Sequence, residues 1–260
     1  MTEELAVCGL NAVLALGEYN PDNIKRLFIK EERMNLFGLL CKQLAEKKRP
    51  YKICDDNELE KICKSNHHQG IVAMIKYPDI NVINQDDLDS WAQEGRTGVI
   101  LHEVGNDHNL GLVARSAAFF DAPWIVVSGR NEEFRLTTSA YRMAEGGMEH
   151  VKVRTVNNTV SFLNSASKRL ILIGTDVRAR LRLKDLGSII KNKTETLKFN
   201  GKPEGKRPGI AIVLGNEETG LPADIKDACT CIVRVSGTGL MNSLNVSAAS
   251  ALFLNEIYQL

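Results

Sequence analysis

The sequence predicts an α/β protein in two parts: a small α/β domain over residues 1–78 and, after a linker, a larger domain over 98–260 with a mostly parallel sheet. Two observations carry that reading. From Gly98 onward, short continuous apolar runs alternate with stretches of helical spacing, the pattern of strands buried on both faces and covered by helices. Before it, residues 79–97 are polar and acidic, with Asp79, Asp86, Asp87 and Asp89, and fit a linker with one short helix at about 88–92. The 260 residues suffice for one large domain or two ordinary ones with a proper core.

In the small domain, apolar spacing predicts a helix over 8–16, a strand over 24–29 and a helix over 34–48. Gly38 is the weak point of that last helix, and the basic run Lys47, Lys48, Arg49 ends it. Residues 51–54 fit a strand, 57–63 a short helix capped by Asp55 or Asp56, and 71–75 a strand entered through the turn His67, His68, Gln69, Gly70. In the large domain strands are expected at 99–103, 124–127, 151–154, 170–174, 209–214 and 229–235. Helices are expected at about 110–121, 133–145, 157–168, 222–228 and 242–258. The exception is 178–208, which has no clear period.

That stretch holds ten Lys or Arg against three acids, a local charge of +7 that leaves the rest of the chain at −6. It is either a solvated loop or a surface for a phosphate backbone, and charge alone does not decide. The net charge of +1 excludes a globally polybasic protein. No apolar run approaches the length that spans a bilayer, so no membrane partner is expected. Glu3 and Glu4 stand where a secretory signal is basic, and Cys8, Cys41, Cys54, Cys63, Cys229 and Cys231 lack the spacing of a disulfide scaffold. They read as reduced thiols of a cytoplasmic protein.

The last two strands of the sheet each lead into a glycine-bearing loop, at the sheet edge where open α/β folds bind ligands. Chemistry is therefore expected within 208–258. Gly215 and Gly220 have the first spacing of a phosphate-binding loop, but Leu221 and Pro222 stand where its Lys and Ser or Thr belong, so an ATPase is unsupported. No G-x-G-x-x-G opens a helix, no serine has a hydrolase elbow, and Cys229 with Cys231 lacks a second ligand pair, so no metal is expected. Asn109 and Arg115 individually read as a helix cap and a surface residue. Ser243 and Asn245 read as the polar first turn of the last helix, whose small residues 247–251 offer a surface for close packing.

The combination is more specific. Asn109 with Arg115, then 214–221 (Leu, Gly, Asn, Glu, Glu, Thr, Gly, Leu), then 243–249 (Ser, Leu, Asn, Val, Ser, Ala, Ala) stand in this order at these strand ends. Together they resemble the three signature motifs of the SPOUT superfamily, in its SpoU branch of RNA 2′-O-ribose methyltransferases, over about 98–260. The resemblance implies a deep trefoil knot made by threading the C-terminal helix, S-adenosylmethionine as cofactor, and a homodimer with active sites at its interface. One residue departs: the family commonly has Gly after Glu217, and this chain has Glu218. That change bears on activity and not on fold. Residues 9–13 (Gly, Leu, Asn, Ala, Val) and 68–73 (His, Gln, Gly, Ile, Val, Ala) resemble the substrate-binding domain that precedes the catalytic domain in some members. They point to structured RNA, ribosomal ahead of transfer RNA.

The resemblance also implies roles. Arg115 would stabilise the developing 2′-alkoxide and the adjacent phosphate. A guanidinium stays protonated in proteins, so an electrostatic role is expected in place of the family's proposed general base, with the proton leaving through RNA phosphate, Ser243 or water. Asn109 and Asn245 would orient the ribose or Arg115, and Glu217 would fix its loop and pair with a cation across the dimer. Leu214, Gly215, Asn216, Gly220, Ile232, Leu240, Ser243 and Leu244 are expected around the cofactor, with Gly174 and Thr175 as the remaining wall. Arg178, Arg180 and Arg182 are expected on RNA. The rival reading is an RNA-binding homologue that keeps the knot and has lost turnover. A small-molecule enzyme using another nucleotide accounts for neither the N-terminal domain nor the basic segment.

Overall fold

The computed structural model describes residues 3–128, 135–196 and 207–260. Its elements run β1 (Glu4–Cys8), α1 (Leu10–Tyr19), β2 (Ile24–Ile29), α2 (Met34–Glu46), β3 (Tyr51–Ile53), α3 (Asp56–Cys63), β4 (Ile71–Lys76), α4 (Gln85–Glu94), β5 (Thr97–His102), α5 (Asp107–Phe119) and β6 (Trp124–Ser128). Then come α6 (Thr138–Ala144), β7 (Lys152–Thr155), α7 (Thr159–Ala166), β8 (Leu170–Thr175), β9 (Leu181–Arg182), α8 (Leu186–Thr196), β10 (Gly209–Leu214), α9 (Ala223–Asp227), β11 (Cys231–Arg234) and α10 (Val246–Tyr258). Two compact units result. The first takes Met1–Asp79, Leu110–Arg115 and Arg135–His150, and the second takes Ile80–Asn109, Ser116–Phe134 and Val151–Leu260.

In the first unit four strands form a sheet in the order β1-β4-β2-β3. β4 pairs antiparallel with β1 and β2, while β3 runs parallel to β2 at the edge. Ile24, Leu27 and Ile29 of β2 are buried, as are Leu16 of α1, Phe37 of α2 and Leu59 of α3. The helix expected from residue 8 begins at Leu10, because residues 4–8 form β1. A short, wholly apolar run suits a helix or a strand equally, and pairing with β4 decides for the strand. Gly9, at φ 101°, makes the turn between the two, in backbone space that L side chains avoid. Asp55 is the cap of α3, accepting from Glu58 N at 2.8 Å.

The second unit is a seven-stranded sheet in the order β7-β6-β5-β10-β8-β11-β9, parallel throughout. Every residue of the central β10 is buried, as a strand covered on both faces requires. The helix expected near 88–92 extends over Gln85–Glu94. Asn84 opens it with a capping box to Asp87, and Gly95 closes it in the left-handed region at φ 65°. Its Leu88, Trp91 and Ala92 are buried, and the Trp91 ring stacks on Trp124 at 5.7 Å. Two acids of this stretch face arginines: Asp87 takes two bonds from Arg154 (2.9 and 3.0 Å), and Asp89 takes one from Arg169 (2.5 Å).

The basic stretch contains β9 and α8, which sequence periodicity did not disclose. Among the described side chains of α8, Leu186 and Ile190 are buried, a stripe four residues apart and too narrow to register as a period. Lys198, Lys202 and Lys206 lie outside the described residues. α6 is shorter than the expected 133–145, ending where Glu145 turns left-handed (φ 46°). α10 starts at Val246, four residues later than expected, because Asn245 is its cap.

Candidate active site

The loops that leave β5, β10 and β11 at their C-terminal ends carry the polar residues of the second unit. α5, entered from β5, is capped by Asn106, whose Oδ1 accepts from His108 N at 2.8 Å. Asn109 is therefore free for another task. It is only 5% exposed. Its Nδ2 donates to Glu217 Oε1 at 2.6 Å, and its Oδ1 accepts from Asn245 Nδ2 at 3.0 Å. Asn245 in turn caps α10, accepting at Oδ1 from Ser247 N (2.8 Å) and Ser247 Oγ (2.6 Å). One buried amide thus joins the beginnings of two helices and the loop after β10. The two ends of the Asn109 amide have opposite partners, so its orientation is set.

The loop after β10 is closed by Asn216. Its Nδ2 donates to Glu103 O at 3.0 Å, and its Oδ1 accepts from Glu218 N (2.9 Å) and Thr219 N (3.2 Å). The backbone closes as well, Gly220 N donating to Asn216 O at 2.9 Å. A Cβ on Gly215 would stand 2.4 Å from the Gly220 carbonyl, so this close approach requires glycine. Glu218 is exposed and does not occupy the left-handed region, so its backbone does not call for the glycine common in the family.

The residues expected around the cofactor form a wall and an open loop. Gly174, next to last in β8, lies beside Ile232 and Cys229, where a Cβ would lie 2.6 Å from Ile232 Cδ1 and 2.9 Å from Cys229 Sγ. Thr175 Oγ1 donates to Val213 O at 3.2 Å, tying β8 to β10 just short of the buried Leu214. Leu240 is 89% and Leu244 51% exposed on the loop after β11, and Ser243 is exposed between them. Gly220, Gly237 and Gly239 face open space. Exposed apolar side chains on glycine-bearing loops at strand ends fit S-adenosylmethionine, whose adenine needs apolar faces and backbone groups at its edge. Burial pushes the Cys229 thiol up to about 12 and the Cys231 thiol up to about 11, so neither acts as a thiolate near neutral pH. Beside this wall, burial opposes ionisation of Asp176, but hydrogen bonds from Lys226 and the Arg178 backbone outweigh it and hold the carboxyl below its usual range.

Arg115 is placed differently. It follows Asn109 by six residues on α5. It belongs to the first unit, is 56% exposed, and pairs with Glu145 at 3.6 Å. Sequence reasoning did not single out Glu145, nor Asn106 as the cap. The Gly146–Gly147 pair that follows Glu145 was the signal available for it. Arg178, Arg180 and Arg182 are exposed in alternation around β9, with Arg182 Nε 3.4 Å from Asp185.

Comparison with known proteins agrees with this architecture. A model of the SpoU rRNA Methylase family matches residues 96–255, and a model of RNA 2′-O ribose methyltransferase substrate binding matches residues 6–80. The 23S rRNA (guanosine-2′-O-)-methyltransferase RlmB of Acinetobacter baylyi is 30% identical over 258 residues, covering 95% of this chain and 94% of its own. The uncharacterized tRNA/rRNA methyltransferase YfiF of Escherichia coli O157:H7 is 29% identical over 257 residues, covering 98% of this chain and 68% of its own. The AdoMet-bound rRNA methyltransferase from Sinorhizobium meliloti superposes with a TM-score of 0.73 at 17% identity, over 99% of this chain and 88% of that one. The SpoU methyltransferase AviRb from Streptomyces viridochromogenes, in complex with AdoMet, superposes with a TM-score of 0.69 at 18% identity, over 98% and 90% of the two chains. At these identities the superpositions show the fold, that of the SPOUT methyltransferases. Fold, site and relatives together define an RNA methyltransferase that uses S-adenosylmethionine. The chain belongs to the SpoU rRNA methylase family, with an RNA 2′-O ribose methyltransferase substrate-binding domain at its N-terminal end.

Proposed function

We propose that this protein methylates a ribose 2′-hydroxyl in structured RNA, ribosomal RNA first, with Asn109, Glu217, Ser243, Asn245 and Arg115 as its catalytic residues. The hydrogen-bonded chain from Glu217 through Asn109 to Asn245 carries the reading, because it joins the three motif segments in one network. Bound S-adenosylmethionine would supply the electrophilic methyl group. Leu214, Gly215, Asn216, Gly220, Ile232, Leu240, Ser243 and Leu244 would hold it, with Gly174 and Thr175 as the wall. Asn109 keeps Glu217 and Asn245 in place, so the loops after β10 and β11 need not reorganise during reaction. The guanidinium of Arg115 stabilises the 2′-alkoxide as it develops. The proton leaves through RNA phosphate, the exposed Ser243 hydroxyl or water.

Residues 1–78 bind the RNA in this reading, together with Arg178, Arg180 and Arg182, and 79–97 connect them to the catalytic domain 98–260. The C-terminal helix is threaded as a trefoil knot, and the protein acts as a cytoplasmic homodimer. Support for the dimer comes from the second unit, where Phe119 (81%), Tyr258 (62%) and Leu260 (57%) are exposed, with Phe120 between the rings of Phe119 and Tyr258. No helix among the described residues is long and apolar enough to cross a membrane. The test is transfer of labelled methyl from S-adenosylmethionine to total RNA, followed by mapping of the modified ribose. Binding of RNA and cofactor without transfer to any cellular RNA would favour the binding homologue. The hydrogen bonds from Glu218 N and Thr219 N to Asn216, which close this loop with Glu218 in place, support the enzyme.

A further inference from the structure

We propose that Glu145 is a positioning residue for Arg115, holding the guanidinium by charge from a loop that two glycines seat between α1 and α5. The inference rests on the methyltransferase reading for its meaning, and all of its residues lie in the first unit. Glu145 ends α6 in the left-handed region (φ 46°, ψ 46°), which a glutamate seldom adopts and which persists where the surroundings impose it. Those surroundings are Gly146 and Gly147. A Cβ on Gly146 would stand 2.7 Å from Ala15 Cβ and 3.1 Å from Asn11 O on α1. One on Gly147 would stand 2.9 Å from both Arg115 Cα and Ala114 O on α5. The loop backbone therefore rests on both helices, at Asn11 and at Arg115.

The carboxylate uses that seat. Oε2 accepts from Asn11 Nδ2 at 2.9 Å, and Oε1 lies 3.6 Å from Arg115 Nη1. Each oxygen has its own partner, so the carboxylate cannot turn fully to one without leaving the other. The pair opens on a cavity of about 160 Å³ that Gly9, His67, Gln69 and Arg142 also line. Gly9 (φ 101°) and Gln69 (φ 55°) share the left-handed backbone of Glu145, a concentration of unusual conformations that belongs to functional sites. Fold maintenance does not account for the ion pair, since its side chains are 56% and 39% exposed and such pairs add little stability. Orientation does. An unrestrained arginine in the field of RNA turns to the first phosphate it meets. A fixed carboxylate beside it sets the plane of the fork and leaves its remaining N–H groups for ribose oxygen and phosphate.

The same carboxylate competes with RNA phosphate for the Arg115 guanidinium, so the two effects of removing it have opposite signs. In Glu145→Gln, single-turnover methyl transfer at saturating RNA should fall by about 10-fold, less than direct loss of a charge-stabilising donor causes. RNA binding at low salt should tighten about threefold, the Arg115 guanidinium being released to phosphate. S-adenosylmethionine affinity and Tm should stay unchanged. In an Arg115→Ala background both effects should disappear. A rate equal to wild type, a joint fall of rate, RNA affinity and Tm, or effects that persist without Arg115 would each overturn the proposal. The binding arm needs no turnover, so if the wild type proves inactive, tightening that depends on Arg115 still supports the coupling and its absence refutes it.

Discussion

Asn109 and Arg115 lie on one helix six residues apart, and their surroundings are built in opposite ways. Asn109 is 5% exposed and satisfied at both ends of its amide, and its partners stand 108 and 136 residues away in the chain. Arg115 is 56% exposed and pairs with Glu145 at 3.6 Å. Buried polar networks are costly to break and specify a single arrangement. An exposed guanidinium beside a tethered carboxylate costs little to hold and remains open to an incoming anion. The first kind of site suits a scaffold for loops, and the second suits a group that meets a large substrate. In the proposed enzyme, Asn109 supports the geometry and Arg115 acts on the reacting oxygen.

The sharpest break of that comparison is Arg115→Ala. It should lower single-turnover methyl transfer by about 10²–10³, as loss of one well-placed donor does, while S-adenosylmethionine affinity and Tm change little. Arg115→Lys should recover only part of the rate, because an ammonium lacks the planar fork. Near wild-type chemistry with weaker RNA binding alone would reduce Arg115 to a phosphate anchor. Asn109→Ala should behave in the reverse manner. It leaves Glu217 and Asn245 without their buried partner, at about 1–3 kcal/mol in denaturant unfolding, with cofactor binding weakened alongside. An Asn109→Ala protein of wild-type stability would show that water replaces the amide and that the network is no scaffold.

Gly215→Ala should come next, since its Cβ would meet the Gly220 carbonyl at 2.4 Å and the loop must shift. Calorimetric titration should show S-adenosylmethionine binding weakened about tenfold, on the order of 1.4 kcal/mol, with RNA binding spared. Unaltered cofactor affinity would move the cofactor away from this loop. Reversal of Arg178, Arg180 and Arg182 to Glu should do the opposite, weakening RNA binding and reducing its salt slope by about one for each phosphate no longer neutralised. An unchanged affinity across salt concentrations would return this stretch to a solvated surface. The smallest effect is expected for Glu218→Gly, with rate and cofactor affinity within about twofold and stability within about 0.5 kcal/mol, as for an exposed residue without special backbone. A large gain in turnover would show instead that Glu218 restrains this enzyme.

The sequence by itself determined whatever local chemistry writes into short windows. The continuous apolar runs at 124–127, 170–174 and 209–214 announced strands buried on both faces, and the structure has β6, β8 and β10 there. Asp55 and Asp56 together announced the start of α3 through the affinity of a carboxylate for free N–H groups, and the fold gives the cap to Asp55. The motif residues were legible because their types and order are unusual together, even though each has an ordinary reading alone. Tertiary structure decided the rest, wherever a residue's role depends on a partner far along the chain. Residues 4–8 became β1 because β4 was there to pair with them. Asn109 is a junction and not a cap because Asn106 takes the capping position and Glu217 and Asn245 arrive from distant loops. Those loops arrive because β10 inserts between β5 and β8, an order that no window of sequence contains. Glu145 was invisible for the same reason: an acid before two glycines ends a helix in many settings, and only the packing of those glycines on α1 and α5 brings its carboxylate to Asn11 and Arg115.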